Sequence, residues 1–169
     1  MRLLTPAIKY WVCKSAPGFL YEAMECLGGN GYVEEGILAR HFRESPVNAI
    51  WEGSGNVMCL DVLRALSREA EAAQAVLQGL AGEARGLPGA GDAVAFIAGA
   101  FRRPDSERVA RLAVEKLALL AAVAALNKVS PRHAELFAST RLAGNHASMY
   151  GAVDLAQDDV RALLEKALP

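Results

Sequence analysis

The chain has 169 residues, of which 53% are hydrophobic and 22% charged, with a formal net charge of −1. That length suits one domain with a sizeable core, or two small helical pieces, and the balance excludes an intrinsically disordered chain. Near-neutral charge gives no general attraction to nucleic acid or an anionic membrane, and no apolar run reaches the roughly 18 residues a membrane span needs.

In chain order, Thr5-Pro6 is a helix start, with a capping hydroxyl before proline at the first helical position. Ile8, Trp11, Val12, Phe19, Ala23, Met24 and Leu27 recur at helical spacing. Ala16-Pro17-Gly18 is expected to kink or break that helix, and Gly28-Gly29 to stop it. A shorter helix is predicted over 35–44, closed by Ser45-Pro46. A long helical pattern then runs from Gly55 or Asn56 to about Ala84, and the GLPGAG stretch over 86–91 is the clearest break in the chain. Helices are predicted over 92–101, from near Pro104 to Lys128 (the richest amphipathic segment), from Pro131 to about Ala143, and over 158–167. Strand patterns are absent, so the expected fold is all-α, built mostly from antiparallel neighbours joined by short loops. A soft boundary is placed near residue 65, inside the long helix, dividing residues 1–65 from a helical portion over 66–169.

Three cysteines, Cys13, Cys26 and Cys59, form no Cys-x-x-Cys pair. An odd count of unpaired thiols fits a reducing compartment, and Met1 leads into Thr5-Pro6 without an export pattern, so the expected location is cytoplasmic. His41, His133 and His146 are scattered without metal-ligand spacing, so no metal site is expected.

Chemistry concentrates between Met24 and Arg64, which holds two small-residue turns, Leu27-Gly-Gly-Asn-Gly-Tyr32 and Trp51-Glu-Gly-Ser-Gly-Asn56. Glycines lack the β-carbon that keeps a ligand from the backbone, so Gly28, Gly29 and Gly31 suit close approach; they equally suit a helix C-cap. No strand precedes them, which excludes the strand-first dinucleotide motif. Glu52, between Trp51 and Gly53, is either a partly desolvated carboxylate suited to proton abstraction or an exposed turn residue. With a helix starting near Gly55, Asn56, Leu60, Leu63 and Arg64 share one face. Ser54 sits in Glu-Gly-Ser-Gly, not in a nucleophile elbow. Arg102, Arg103, Arg108 and Arg111 form a local basic cluster interrupted by Asp105 and Glu107.

The pairing and order of the two turns resembles the C-terminal signature of acyl-CoA dehydrogenases, and more closely its AidB-like branch of adaptive-response flavoproteins. Glu22-Ala-Met-Glu25, Ser45-Pro-Val-Asn48 and Met58-Cys-Leu-Asp-Val-Leu-Arg64 carry the closer match, as does a helical extension of about 100 residues beyond the arginine. The resemblance implies the all-α C-terminal bundle of that family, with the extension added. It implies FAD as cofactor in an assembled, complete site. Gly28, Gly29 and Gly31 would lie against its adenosine-pyrophosphate part in a pocket shared with another subunit, and Ser54 and Asn56 near the flavin. It makes Glu52 the base that takes the α-proton of an acyl-CoA, with Trp51 walling the pocket and Arg64 pointing into it. Glu25 stands where many members have a cofactor-reaching glutamine, which puts that contact in doubt. The family's N-terminal helical domain and middle β-domain do not occur in this sequence, so a homo-oligomer or a partner chain carrying them is expected to complete the site. The branch's association with duplex DNA would fall to the Arg102–Arg111 face. Against that stands the charge of residues 65–169, 12 Lys/Arg matched by 12 Asp/Glu, where phosphate neutralisation needs a basic surface. The alternative to a dehydrogenase component is thus a DNA-associated or structural helical assembly module.

Overall fold

A computed structural model describes residues 3–167. Met1, on which the reading of the export pattern rests, lies outside them. Every regular element among the described residues is helical, so the expected all-α fold is the observed one.

The first helix, α1, spans Leu4–Cys26 and runs through Pro17 without a break. Proline removes one helical donor, but α1 packs along its length against later helices and the Ser15 hydroxyl donates to the Trp11 carbonyl at 2.9 Å. Tertiary packing outweighs the local penalty. A left-handed Gly28, φ 56°, turns the chain into the short α2, Gly29–Tyr32. Here α2 crosses α1 so closely that a Cβ on Gly31 would overlap the Met24 carbonyl. Helix α3 covers Leu38–Glu44 and continues as a 3-10 turn over Ser45–Ala49, where buried Ser45 bonds the Phe42 carbonyl at 2.8 Å.

The long helix expected from Gly55 to Ala84 is two helices, α4 (Gly55–Arg68) and α5 (Ala70–Glu83), separated at Glu69 with φ −131° and ψ 50°. Residues 67–72 are all exposed and contain no large apolar side chain to pin a continuous helix. Each half instead lays its own face on the core, Met58, Cys59 and Val62 from α4, Ala73 and Leu80 from α5. Helix α6, Ala90–Arg102, buries Ala90, Ala93, Ile97 and Ala100 at helical spacing.

The segment expected to be the most amphipathic is the central element. A 3-10 turn over Ser106–Val109 leads into α7, Ala110–Val129, which touches α1, α4, α5 and α6. Its buried residues, among them Ala113, Val114, Leu117, Leu119, Leu120, Ala121 and Val123, circle the helix rather than forming a stripe. A helix that is apolar all round is a buried one, and its alanines let neighbours approach on every side. Pro131 opens α8, Pro131–Phe137, which passes into a π-turn over Ala138–Leu142. There the Thr140 hydroxyl bonds the Leu136 carbonyl at 2.9 Å. An irregular segment then returns to α1, where the Tyr150 hydroxyl donates to the Ser15 carbonyl at 3.1 Å. The last helix, α9, Gln157–Ala167, buries no residue and is tied to α8 by an Arg132–Asp159 pair at 2.9 Å.

A single core runs from Leu3, just before α1, and Ala7 and Tyr10 of α1 through α4, α5, α6 and α7 to Leu142. Residues on either side of position 65 therefore fold around shared side chains.

Candidate functional site

The site is built where α1 meets the turn that enters α4. Lys9, on α1, donates from its ammonium to the Trp51 carbonyl at 2.7 Å and to the Gly53 carbonyl at 2.9 Å. Both are charge-assisted bonds, stronger than neutral ones. They bracket Glu52, whose φ of 54° makes it the one non-glycine residue with positive φ among those described. A bulky residue pays a steric cost in that region and holds it only when its surroundings over-determine it. Gly53 follows at φ 112°, where an added Cβ would strike the Met58 methyl group. The turn is therefore held by Lys9 on one side and seated on α4 by Gly53 on the other.

Glu52 opens on a groove of about 650 Å³ lined also by Thr5, Lys9, Met58, Asp61, Arg64 and Arg68. The Arg64 guanidinium pairs with the Asp61 carboxylate at 2.5 Å, and both side chains are well exposed. An exposed pair of this kind contributes only about 0–1 kcal/mol, so Arg64 exchanges this partner at small cost. Trp51, next to Glu52 in sequence, is 56% exposed and is not among the residues that line the groove. Glu52 and Arg64, 12 positions apart in sequence, thus line one groove with two cationic neighbours, Lys9 and Arg68, and two anionic ones, Asp61 and Glu69. Such a groove suits a ligand with a polar head and a proton to lose.

Ser54 and Asn56 lie at the start of α4, both exposed, and no side chain caps the helix there. The first amides of a helix are unsatisfied by its own carbonyls and carry partial positive charge. Gly28 and Gly29 have open space where a side chain would stand, which fits the close approach of a ligand. Gly31 differs, since its missing side chain is required by the crossing of α2 over α1. Among the described residues the groove's lining includes none of these three glycines. They lie past the far end of α1 from Lys9, about 25 Å along the helix at 1.5 Å per residue. One copy of the chain does not gather both turns into a single groove.

The arginine cluster is largely engaged within the chain. Arg103 and Arg108 both bond Asp105, at 2.9 and 3.3 Å, and the Arg103 guanidinium lowers the carboxyl's pKa by its hydrogen bond. Arg111 donates from Nε to the Tyr10 hydroxyl at 3.1 Å and stacks over that ring. Arg102 lines a separate, mainly apolar recess between α4, α5 and α6. No group of three His, Cys, Asp or Glu side chains among the described residues converges as a metal cluster would.

Lys9, Asp61 and Arg68 were not legible as site residues. Lys9 bonds partners 42 and 44 positions away, so nothing local marks it. Asp61 and Arg68 share a helix face with Arg64 at spacings of three and four, a signal available only once the groove side of α4 is known.

Residues 2–67 match the family described as acyl-CoA dehydrogenase, C-terminal domain. The chain is 62% identical over 69 residues to an Escherichia coli (strain K12) protein named "Putative acyl-CoA dehydrogenase AidB", covering 41% of this chain and 13% of that protein. It is 45% identical over 67 residues to "Acyl-CoA dehydrogenase family member 11" of Caenorhabditis elegans, covering 40% of this chain and 11% of that protein. The matched segment thus spans about an eighth of these relatives' length, and residues 68–169 lie beyond the family match. Over residues 2–67, then, the chain is similar to the C-terminal domain of acyl-CoA dehydrogenases, and to the AidB-like branch among them.

Proposed function

We propose that residues 2–67 supply the carboxylate-bearing part of a flavin-dependent dehydrogenase site for acyl-CoA, with Glu52 as the base. The observation that carries this reading is the left-handed Glu52, held at the mouth of a groove it shares with Arg64. A strained backbone of this kind costs about 1–3 kcal/mol, and such strain clusters at sites that present a group to a ligand. In this reading Glu52 takes the α-proton of an acyl thioester, Arg64 leaves Asp61 to hold a polar group of the substrate, and the Trp51 indole covers the reacting atoms from water. FAD, when bound, supplies the acceptor for the hydride. Gly28 and Gly29 would approach its adenosine-pyrophosphate part and Ser54 and Asn56 its flavin part.

The distance between the two turns supports a site shared between chains, each contributing one turn, as does the exposure of Phe19, Tyr32, Ile37 and Ile50. The complete site further needs the family's N-terminal helical and β domains, from a second polypeptide or from sequence outside these 169 residues. Residues 66–169 are proposed as an added helical unit. Its exposed arginines pair within the chain at three of the four positions, which favours an assembly role over DNA contact.

The test is assembly of this chain with a polypeptide carrying the missing domains. A yellow complex is expected, and Glu52→Gln should retain flavin while losing about 10²–10⁴-fold in flavin reduction by acyl-CoA, the usual contribution of a positioned base. A colourless complex, or undiminished reduction by Glu52→Gln, overturns the reading.

A further inference from the structure

We infer that Lys9 is the positioning residue for Glu52: its ammonium holds the turn from both sides and so fixes where the carboxylate points. The inference rests on Glu52 being the functional carboxylate of the proposed site.

Three independent features converge on it. The Lys9 ammonium donates to the carbonyls of Trp51 and Gly53, the residues on either side of Glu52, and to no other partner among the described residues. A single cation bonding carbonyls two residues apart requires both to face the same point, which forces the intervening residue to arch away. That residue is Glu52, with φ 54°, a conformation an unassisted glutamate avoids. Finally, Lys9 lines the same groove as Glu52, Asp61 and Arg64, so its charge also faces the space the carboxylate enters. Lys14, one and a half turns further along α1, provides the contrast. Its stem packs 2.8 Å from the place of a Cβ on Gly55, and it makes no bond to the turn. A lysine that merely packed would behave as Lys14 does.

The experiment is NMR on this chain, with and without Lys9→Met, and with Lys14→Met as control. A left-handed residue gives a strong intraresidue amide-to-Hα NOE. Glu52 should show it in the parent chain and in Lys14→Met and lose it in Lys9→Met, while the methyl shifts of Ile97 and Leu117 in the core stay unchanged. Persistence of the Glu52 signal in Lys9→Met overturns the proposal. A second measurement covers loss of folding. In a Glu52→Gly background the left-handed turn is unstrained, so Lys9→Met should lower the urea midpoint less there than in the parent. Folding of Lys9→Met/Glu52→Gly where Lys9→Met alone unfolds is the same result in stronger form; equal losses in both backgrounds, or unfolding in both, overturn the proposal. These readouts need no flavin. A failed Glu52→Gln test on the assembled complex therefore removes the base and leaves the clamp, whereas a failed NMR test removes the clamp alone.

Discussion

Arg111 and Tyr10 are joined across 101 positions: the guanidinium Nε donates to the phenolic oxygen at 3.1 Å, with the guanidinium carbon 5.8 Å from the ring centroid. The contact ties α7 to α1, and so binds the helical extension to the family segment. Tyr10 is 7% exposed, and among the described residues its hydroxyl has this one partner to satisfy it. Arg111→Ala leaves that hydroxyl without its bond and removes the stacked cation. A loss of about 1–2 kcal/mol is expected in urea unfolding, the range for an unsatisfied buried hydroxyl. Tyr10→Phe removes the buried hydroxyl itself and leaves only the donor of the exposed Arg111, which water can satisfy, so it should cost less.

Gly31 and Gly29 are neighbours with opposite tolerance. A methyl group at Gly31 overlaps the Met24 carbonyl, which is backbone and fixed by α1, whereas one at Gly29 meets open space. Gly31→Ala should destabilise by about 1–3 kcal/mol, as overpacking does. Gly29→Ala should be close to neutral by the same thermal or urea measurement.

Glu52→Gly should make the chain more stable, by about 1 kcal/mol, because glycine occupies a left-handed turn without the steric cost a glutamate carries. Urea midpoints check this directly. The gain would come with loss of the carboxylate, the exchange of stability against function expected where a strained residue is presented to a ligand.

The three thiols should separate by access. Cys26 is exposed and Cys13 half-buried, while Cys59 is buried on α4. Burial pushes the Cys59 thiol's pKa up, against a smaller opposing pull from Arg111. A disulfide reagent should therefore modify Cys26 quickly, Cys13 more slowly, and Cys59 only on unfolding. The sign for stability follows from the raised value. As pH climbs past the ordinary thiol range, about 8.5, the unfolded chain releases this proton before the folded one. Cys59 thus contributes to a fall in stability at alkaline pH, and Cys59→Ser should flatten that part of the pH profile.

Helix content, the stop at Gly28 and the existence of a break between α5 and α6 (over 84–89, where 86–91 is expected) were legible in sequence because each depends on residues within about a turn of one another. The paired turns around Glu52 were legible for a different reason, a shared pattern spanning both of them. What local spacing could not supply is which helix lies at the centre and what holds the turn. α7 reads as amphipathic until α1, α4, α5 and α6 are known to close around it. Pro17 reads as a break until packing along α1 outweighs it, and the helix after Gly55 reads as continuous until its unpinned stretch at Glu69 is seen to yield. Likewise Lys9 is an ordinary helical lysine in sequence. It becomes part of the site only because α1 lies beside the turn, bringing one ammonium to two carbonyls more than 40 residues away and setting Glu52 between them.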